Sequence, residues 1–290
     1  MKSGFAFLAL TIAGLCWGIG FPMGKVAMAE IPAMQMVLLR FAVAAAAALP
    51  FVLGSRETRA IFLSPPVILS GALYGVGFVL QFEGLARASV ALAALMVGLM
   101  PAMVAVWARV TGEPISRLSW TGVIAATAGA ALIAGKPEGA ATLAGVGLTV
   151  ISLVVFCGWL FVLKRAPAPP TPMAIPAASV VWATLTILPI DLVLHGAPRL
   201  NLSGPAWAGI VGQGLLSTLL ATAAWQYGST RVSSAAAGVF INIEPLLGAV
   251  LGVALFSDRM GWSLAAGGFL ILAGSCVVVL GEKPVPPTPA

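Results

Sequence analysis

Gly84–Val106 reads GLARASVALAALMVGLMPAMVAV, and Gly228–Val250 reads GSTRVSSAAAGVFINIEPLLGAV. A shift of 144 residues lays one on the other without a gap. Gly84, Arg87, Ser89, Ala91, Ala93, Pro101, Ala105 and Val106 meet Gly228, Arg231, Ser233, Ala235, Ala237, Pro245, Ala249 and Val250. Alanine matches carry little weight in an Ala-rich chain; shared Gly, Arg, Ser and Pro at common spacing carry more. Downstream, Gly122 and Gly129 recur as Gly267 and Gly274. The chain therefore reads as a duplicated unit, residues 1–136 and 137–281. The tail 282–290 holds four prolines and is expected to be disordered.

Composition supplies the solvent. Of 290 residues, 60% are hydrophobic and 8% charged, and the mean hydropathy is +1.06. Soluble domains carry roughly 25% charge, so a soluble enzyme, a nucleic-acid binder and a disordered chain are excluded and the surface faces lipid. The net charge of +6 then reflects Lys and Arg at helix ends rather than a nucleic-acid partner. Apolar runs occupy Gly4–Gly24, Ala33–Leu53, Phe62–Phe82, Ala88–Trp107, Leu118–Gly135, Ala141–Leu163, Met173–Leu194, Ala206–Tyr227, Ser234–Phe256 and Trp262–Gly281. Each is long enough to span as a helix and too long, without alternation, for a barrel strand. The first run is too long for a signal-peptide core. The prediction is an all-α membrane protein of ten transmembrane helices with short loops and no extramembrane domain. Pro-rich Lys164–Pro172 links the halves.

Five spans per unit is an odd number, so the second unit enters the membrane inverted. Inverted repeats are the signature of secondary transporters, because each half can adopt the other's conformation. Ten spans place both termini on one side. That side collects nine Lys or Arg residues (Lys2, Arg56, Arg59, Arg109, Arg117, Lys164, Arg165, Arg231, Lys283) against five opposite (Lys25, Arg87, Lys136, Arg199, Arg259). The positive-inside rule makes the termini cytoplasmic.

Helical spacing selects lining residues. Tyr74, Phe78 and Gln81 share a face in the third run, and the repeat maps them onto Thr218, Thr222 and Trp225 in the eighth. Aromatic bulk with a few hydrogen-bonding groups suits an aromatic or amphipathic solute. Trp17 and Trp159 lie well inside their spans rather than in an interfacial belt. Gln213 and Asn242 are apolar-embedded amides, suited to a zwitterion or to joining helices. Glu244, in the middle of its run beside Pro245, is a coupling candidate that can take up a proton. Arg40 needs a carboxylate or several carbonyls and reads as structural. Asp191 is near a helix end, within reach of water, and His195 is in a loop. Pro22, Pro101, Pro176 and Pro245 are candidate flex points, and Gly14/Gly18 and Gly248/Gly252 small-residue contacts. Cys16, Cys157 and Cys276 read as small core residues. There is no phosphate-cradling loop, no metal-ligand spacing and no catalytic triad, so no cofactor, no metal and no catalytic residues are expected.

Cys16-Trp17-Gly18, Leu39-Arg40-Phe41, Gly84-Leu85-Ala86 through Pro101, Glu244-Pro245 and the acidic residues Glu113 and Asp258 after the fourth and ninth runs resemble the drug/metabolite transporter superfamily, EamA-type ten-helix branch. The resemblance covers nearly the whole chain. Within that branch the chain looks most like the YddG-type exporters of aromatic amino acids. The resemblance implies efflux of amino acids and related amphipathic compounds across a bacterial inner (plasma) membrane by a multi-pass protein, a monomer or weak oligomer, whose partners are its small-molecule substrate and membrane lipids. The alternatives are an exporter of another metabolite or of a lipophilic cation, and a non-transporting membrane assembly protein.

Overall fold

The computed structural model describes residues 2–112, 114–135, 142–171, 173–232 and 234–281, and side chains within these except at 2, 3 and 234–236. Among the described residues ten helices are long and apolar enough to cross a bilayer: α1 Gly4–Ala27, α2 Ala33–Leu53, α3 Pro65–Ala86, α4 Val90–Val110, α5 Arg117–Gly135, α6 Leu143–Leu163, α7 Ala174–His195, α8 Gly204–Ser229, α9 Ala237–Phe256 and α10 Trp262–Gly281. All ten expected spans are present, and Ala33–Leu53 and Trp262–Gly281 coincide with the apolar runs to the residue. No strand occurs among the described residues. Glu113 and the tail 282–290 lie outside the described residues, as do Ser233 and the side chain of Ala235 from the repeat.

The inversion is visible in how equivalent helices meet. α5 and α10 are the fifth spans of the two halves. A Cβ built on Gly122 would stand 2.5 Å from Gly274 O, and one on Gly129 2.5 Å from Gly267 O. The reciprocal positions on Gly274 and Gly267 meet Gly122 O at 2.6 Å and Gly129 O at 2.7 Å. The numbering rises along one helix as it falls along the other, so the pair is antiparallel. α4 and α9 cross in the same sense, Gly248 against Ala94 and Gly252 against Ala91. Repeat-equivalent helices therefore point opposite ways. α3 packs on α6 and, as the repeat requires, α8 packs on α1. In lipid no hydrophobic force separates helix from tail, so van der Waals contact between small residues holds such pairs. Gly14 and Gly18 serve the same purpose on α1, meeting Ile243 and Leu247 of α9.

Three spans are interrupted, each by a proline. A proline lacks the N–H that would bond the carbonyl four residues back, and its ring clashes with that carbonyl. The first segment of α1 ends at Gly18 and the second holds Pro22; the first segment of α4 ends at Val97 and the second holds Pro101; in α9 the residues are Ile241 and Pro245. Each segment stops four residues before its proline. The breaks at Gly98 and Asn242 are equivalent in the repeat. Pro176 differs from expectation: it lies in the first turn of α7, where its missing N–H is not required, and causes no break. α8 carries the other irregularity, a π-helical stretch over Gln213–Leu220 in which the Thr218 hydroxyl donates to Gln213 O at 2.9 Å.

Three further expectations are corrected. The Pro-rich stretch Lys164–Pro172 does not link the halves but joins α6 to α7, both within the second unit. His195 is not in a loop; it is the last residue of α7, and its Nδ1 lies 2.7 Å from Asp191 Oδ1. Asp191 does not reach water but is fully buried, because its side of α7 packs inward while Ile190 and Leu192 face out. Of the cysteines, Cys16 and Cys157 are buried, whereas Cys276 is half-buried and meets Asn242.

Candidate functional site

Eight of the ten spans surround a central cavity of about 570 Å3. α5 and α10 contribute no lining residue. Two repeat-related helix pairs face each other across it. The α3/α6 wall is a run of touching rings: Tyr74 with Phe78 (centroids 4.8 Å apart), Phe78 with Phe156 (5.0 Å) and Tyr74 with Trp159 (5.1 Å). The α1/α8 wall carries Trp17 against Trp225 at 5.5 Å, with Thr222 one turn below Trp225. Offset and edge-on ring contacts contribute about 0.5–1.5 kcal/mol each beyond area burial, so these walls are stiff as well as apolar.

Polar groups lie along the whole cavity, with Arg40, Gln81 and Gln213 toward the closed side, Ser217 and Thr218 between, and Ser179, Thr222 and Gln226 toward the side of the termini. The inner limit of the cavity is formed by Arg40, Gln81, Phe82, Phe21 and Gln213. Gln213 is fully buried; its Nε2 donates to Gly20 O, and its Oε1 has no partner among the described residues. Ser217 donates to Cys16 O at 2.6 Å. Arg40 is 2% exposed. Its Nε donates to Thr218 Oγ1 at 2.8 Å, and its guanidinium carbon lies 4.2 Å from the Phe78 ring centroid. A charge at this depth costs about 2.5–3.5 kcal/mol on insertion scales. A charge-assisted hydrogen bond offsets about 1.5–3 kcal/mol, and a desolvated cation–π contact about 2 kcal/mol, so Arg40 is accommodated without a carboxylate. Glu244 lines the same cavity. The break at Asn242 places it in the first turn of Ile243–Phe256, not in mid-helix, where the helix dipole favours its charge.

The two ends of the cavity differ. Toward the side of the chain termini it reaches the α6–α7 linker, where Pro167, Ala168 and Pro169 are lining and exposed. At the opposite side the loops close over it. Lys25 Nζ donates to Leu85 O at 2.9 Å and Ala88 O at 3.1 Å, joining α1 to the end of α3. Asp258 Oδ2 accepts from Ala91 N at 2.8 Å, joining the α9–α10 loop to α4. Glu30, after α1, accepts from the Ser203 hydroxyl and from Ser203 N at 2.9 Å, and Arg199 Nη1 donates to Glu30 O at 3.2 Å. The Ser203 hydroxyl, then its backbone N–H, hold the Glu30 carboxyl below its ordinary 4.5.

Of the residues singled out by sequence, the fold brings Trp17, Tyr74, Phe78, Gln81, Trp159, Gln213, Thr222, Trp225 and Glu244 to this one cavity. It does not bring Asn242, whose Nδ2 points to Cys276 Sγ on α10 at 3.6 Å. Sequence reasoning missed Phe156, which lies one turn before Leu160 on the Trp159 side of α6, and undervalued Arg40.

The profile of the EamA-like transporter family matches residues 4–135 and again residues 143–280. The chain belongs to the EamA-like transporter family. Each half matches the family separately, in keeping with the 144-residue repeat. An "uncharacterized transporter" of Archaeoglobus fulgidus is 24% identical over 278 residues, covering 94% of this chain and 97% of the relative. A second from the same organism is 22% identical over 274 residues, covering 92% and 94%. A crystal structure with 19% sequence identity superposes with a TM-score of 0.66 over 97% of this chain and 99% of its own. That likeness bears on the fold alone, whereas the family and the ten apolar helices make the chain a multi-pass membrane protein.

Proposed function

We propose that this EamA-like transporter exports amino acids, aromatic and other neutral ones, with related amphipathic metabolites, across a bacterial inner membrane by alternating access. The observation carrying the reading is the cavity: aromatic walls from two inverted helix pairs, a few polar groups along them, one end open and the other fastened. Trp17, Tyr74, Phe78, Trp159 and Trp225 give the apolar contacts; Gln81 and Thr222 orient the polar part; Gln213 holds the floor against α1. The positive-inside count makes the open end cytoplasmic, the loading side for an exporter. Glu244 is the coupling carboxylate, exchanging a proton as the cavity changes sides.

Counterflow of labelled phenylalanine into proteoliposomes loaded with unlabelled phenylalanine tests the substrate class. Saturable accumulation is expected; no uptake of any neutral amino acid would reject it. Replacement of Glu244 by Gln separates coupling from binding: exchange persists while gradient-driven accumulation is lost. Normal gradient-driven transport by that variant at every pH removes Glu244 from the mechanism. A second reading, export of a lipophilic cation, is favoured by the one observation that Glu244 and several ring faces line the same space.

A further inference from the structure

Arg40 lines the cavity as a buried cation with no carboxylate in direct contact among the described residues, Glu244 acting on it only from a distance. It begins its helix two turns earlier, at Ala33, so it lies about 10 Å along α2 from the closed end. Its partners are one hydroxyl and three rings: Thr218 Oγ1 at 2.8 Å, and the faces of Phe78, Phe41 and Phe82 at 4.2, 5.3 and 5.6 Å from the guanidinium carbon. No carboxylate lies within 4.0 Å of it among the described residues, although Glu244 lines the same cavity. The Thr218 hydroxyl is itself committed, donating to Gln213 O within the π-helical stretch. This anchorage uses Nε and the flat faces of the guanidinium. The two terminal nitrogens have no acceptor among the described residues, and the group lines the cavity. A guanidinium held in that way presents a planar pair of donors matched to the two oxygens of a carboxylate.

Two of the three amides singled out are engaged elsewhere, while Gln81 lines the cavity and is available to a polar head group. Gln213 Nε2 is given to Gly20 O, and Asn242 Nδ2 to Cys276. From Arg40 the cavity runs past Phe78 and Tyr74 to Trp159 and the exposed linker, a path for an apolar body behind a charged head.

We propose that Arg40 is the anion anchor of the transport site, so that the solutes carried are carboxylates with an aromatic or bulky apolar body, and lipophilic cations are excluded. The proposal rests on the reading that this cavity binds an amphipathic solute, but not on that solute being an amino acid.

Three ligands with one phenyl body separate the possibilities: 3-phenylpropionate with only a carboxylate, phenethylamine with only an ammonium, and phenylalanine with both. Binding to the purified full chain is read by quenching of the cavity tryptophans and checked by calorimetry. Both carboxylates are expected to bind, with phenethylamine weaker by about 10- to 100-fold, the range for a hydrogen bond to a charged group. Arg40→Lys keeps part of that preference because it keeps the charge without the fork. Arg40→Gln abolishes the preference, with the melting profile verifying the fold. Should Arg40→Gln not fold, the wild-type series decides alone. Phenethylamine binding as tightly as the acids, discrimination that survives in Arg40→Gln, or failure of both acids to bind overturns the proposal. Binding of 3-phenylpropionate without phenylalanine upholds it and rejects amino acids as substrates.

Discussion

The α5/α10 seam and the central cavity are both places where the two inverted halves meet, and they are built in opposite ways. At the seam, Gly122, Gly129, Gly267 and Gly274 let two backbones touch. Around the cavity, the equivalent contacts are made by rings and polar side chains that hold α3/α6 away from α1/α8. The seam has nothing to bind with and much packing to lose; the cavity has the reverse. Stability and transport should therefore respond to mutation at different places in the same repeat.

The largest effect is expected at the seam. Gly129→Leu should abolish folded protein, and Gly129→Ala, whose Cβ would lie 2.5 Å from Gly267 O, should destabilise by about 1–3 kcal/mol, the overpacking range, as read by thermal unfolding in detergent. An unchanged melting point would show that the helices separate readily there, and the contrast would fail. In the cavity, Trp225→Ala or Gln81→Ala should leave the melting curve near wild type while raising the KM for exchange by roughly 10-fold, the equivalent of one lost ring or hydrogen-bond contact. Wild-type kinetics would remove these faces from the solute's path.

The closed end sharpens the comparison. Asp258→Ala removes the acceptor for Ala91 N, a charge-assisted bond of about 1.5–3 kcal/mol. Labelling of a cysteine at Phe21 by a thiol reagent applied from the closed side should then rise by about 10-fold or more as the open population grows. Equal labelling would mean that the loops do not close the cavity. The smallest effect is one of pH. Because Ser203 holds the Glu30 carboxyl below 4.5, the ionised form favours the closed contact. That contribution is complete above the ordinary carboxylate range and is lost as pH falls through the lowered value. The same cysteine should label faster at acid pH, and Glu30→Gln should be insensitive; pH sensitivity persisting in Glu30→Gln would assign the effect elsewhere.

The ten spans and the repeat are legible because both depend on composition and spacing, which lipid enforces along the whole chain. The seam glycines were legible as repeated positions, but not as partners. Which face of a helix looks inward was harder to read, since lipid and packed protein are both apolar and the helices carry little contrast around their circumference. Tyr74, Phe78 and Gln81 stand out because the repeat pairs them with Thr218, Thr222 and Trp225. Asp191 and Asn242 had no such second copy to orient them, and each faces differently from expectation. Glu244 reads as mid-helix from run length alone; only the break four residues before Pro245 turns it into a first-turn residue. Arg40 reads as structural in the sequence; only its surroundings, a hydroxyl and three rings with no carboxylate within 4.0 Å among the described residues, raise the anion-anchor role.

Reciprocal movement of the two ends is the central claim, and paired spin labels measure it directly. One pair, at Ala168 and Gln226, spans the open mouth between the segment after α6 and α8; the other, at Val26 and Ala86, spans the closed end between α1 and α3 beside the Lys25 contacts. On adding a transported solute in liposomes, the account predicts that the mouth distance shortens in the same fraction of molecules in which the closed-end distance lengthens. Counterflow that proceeds while both distances stay fixed, or while both ends widen together, would contradict it.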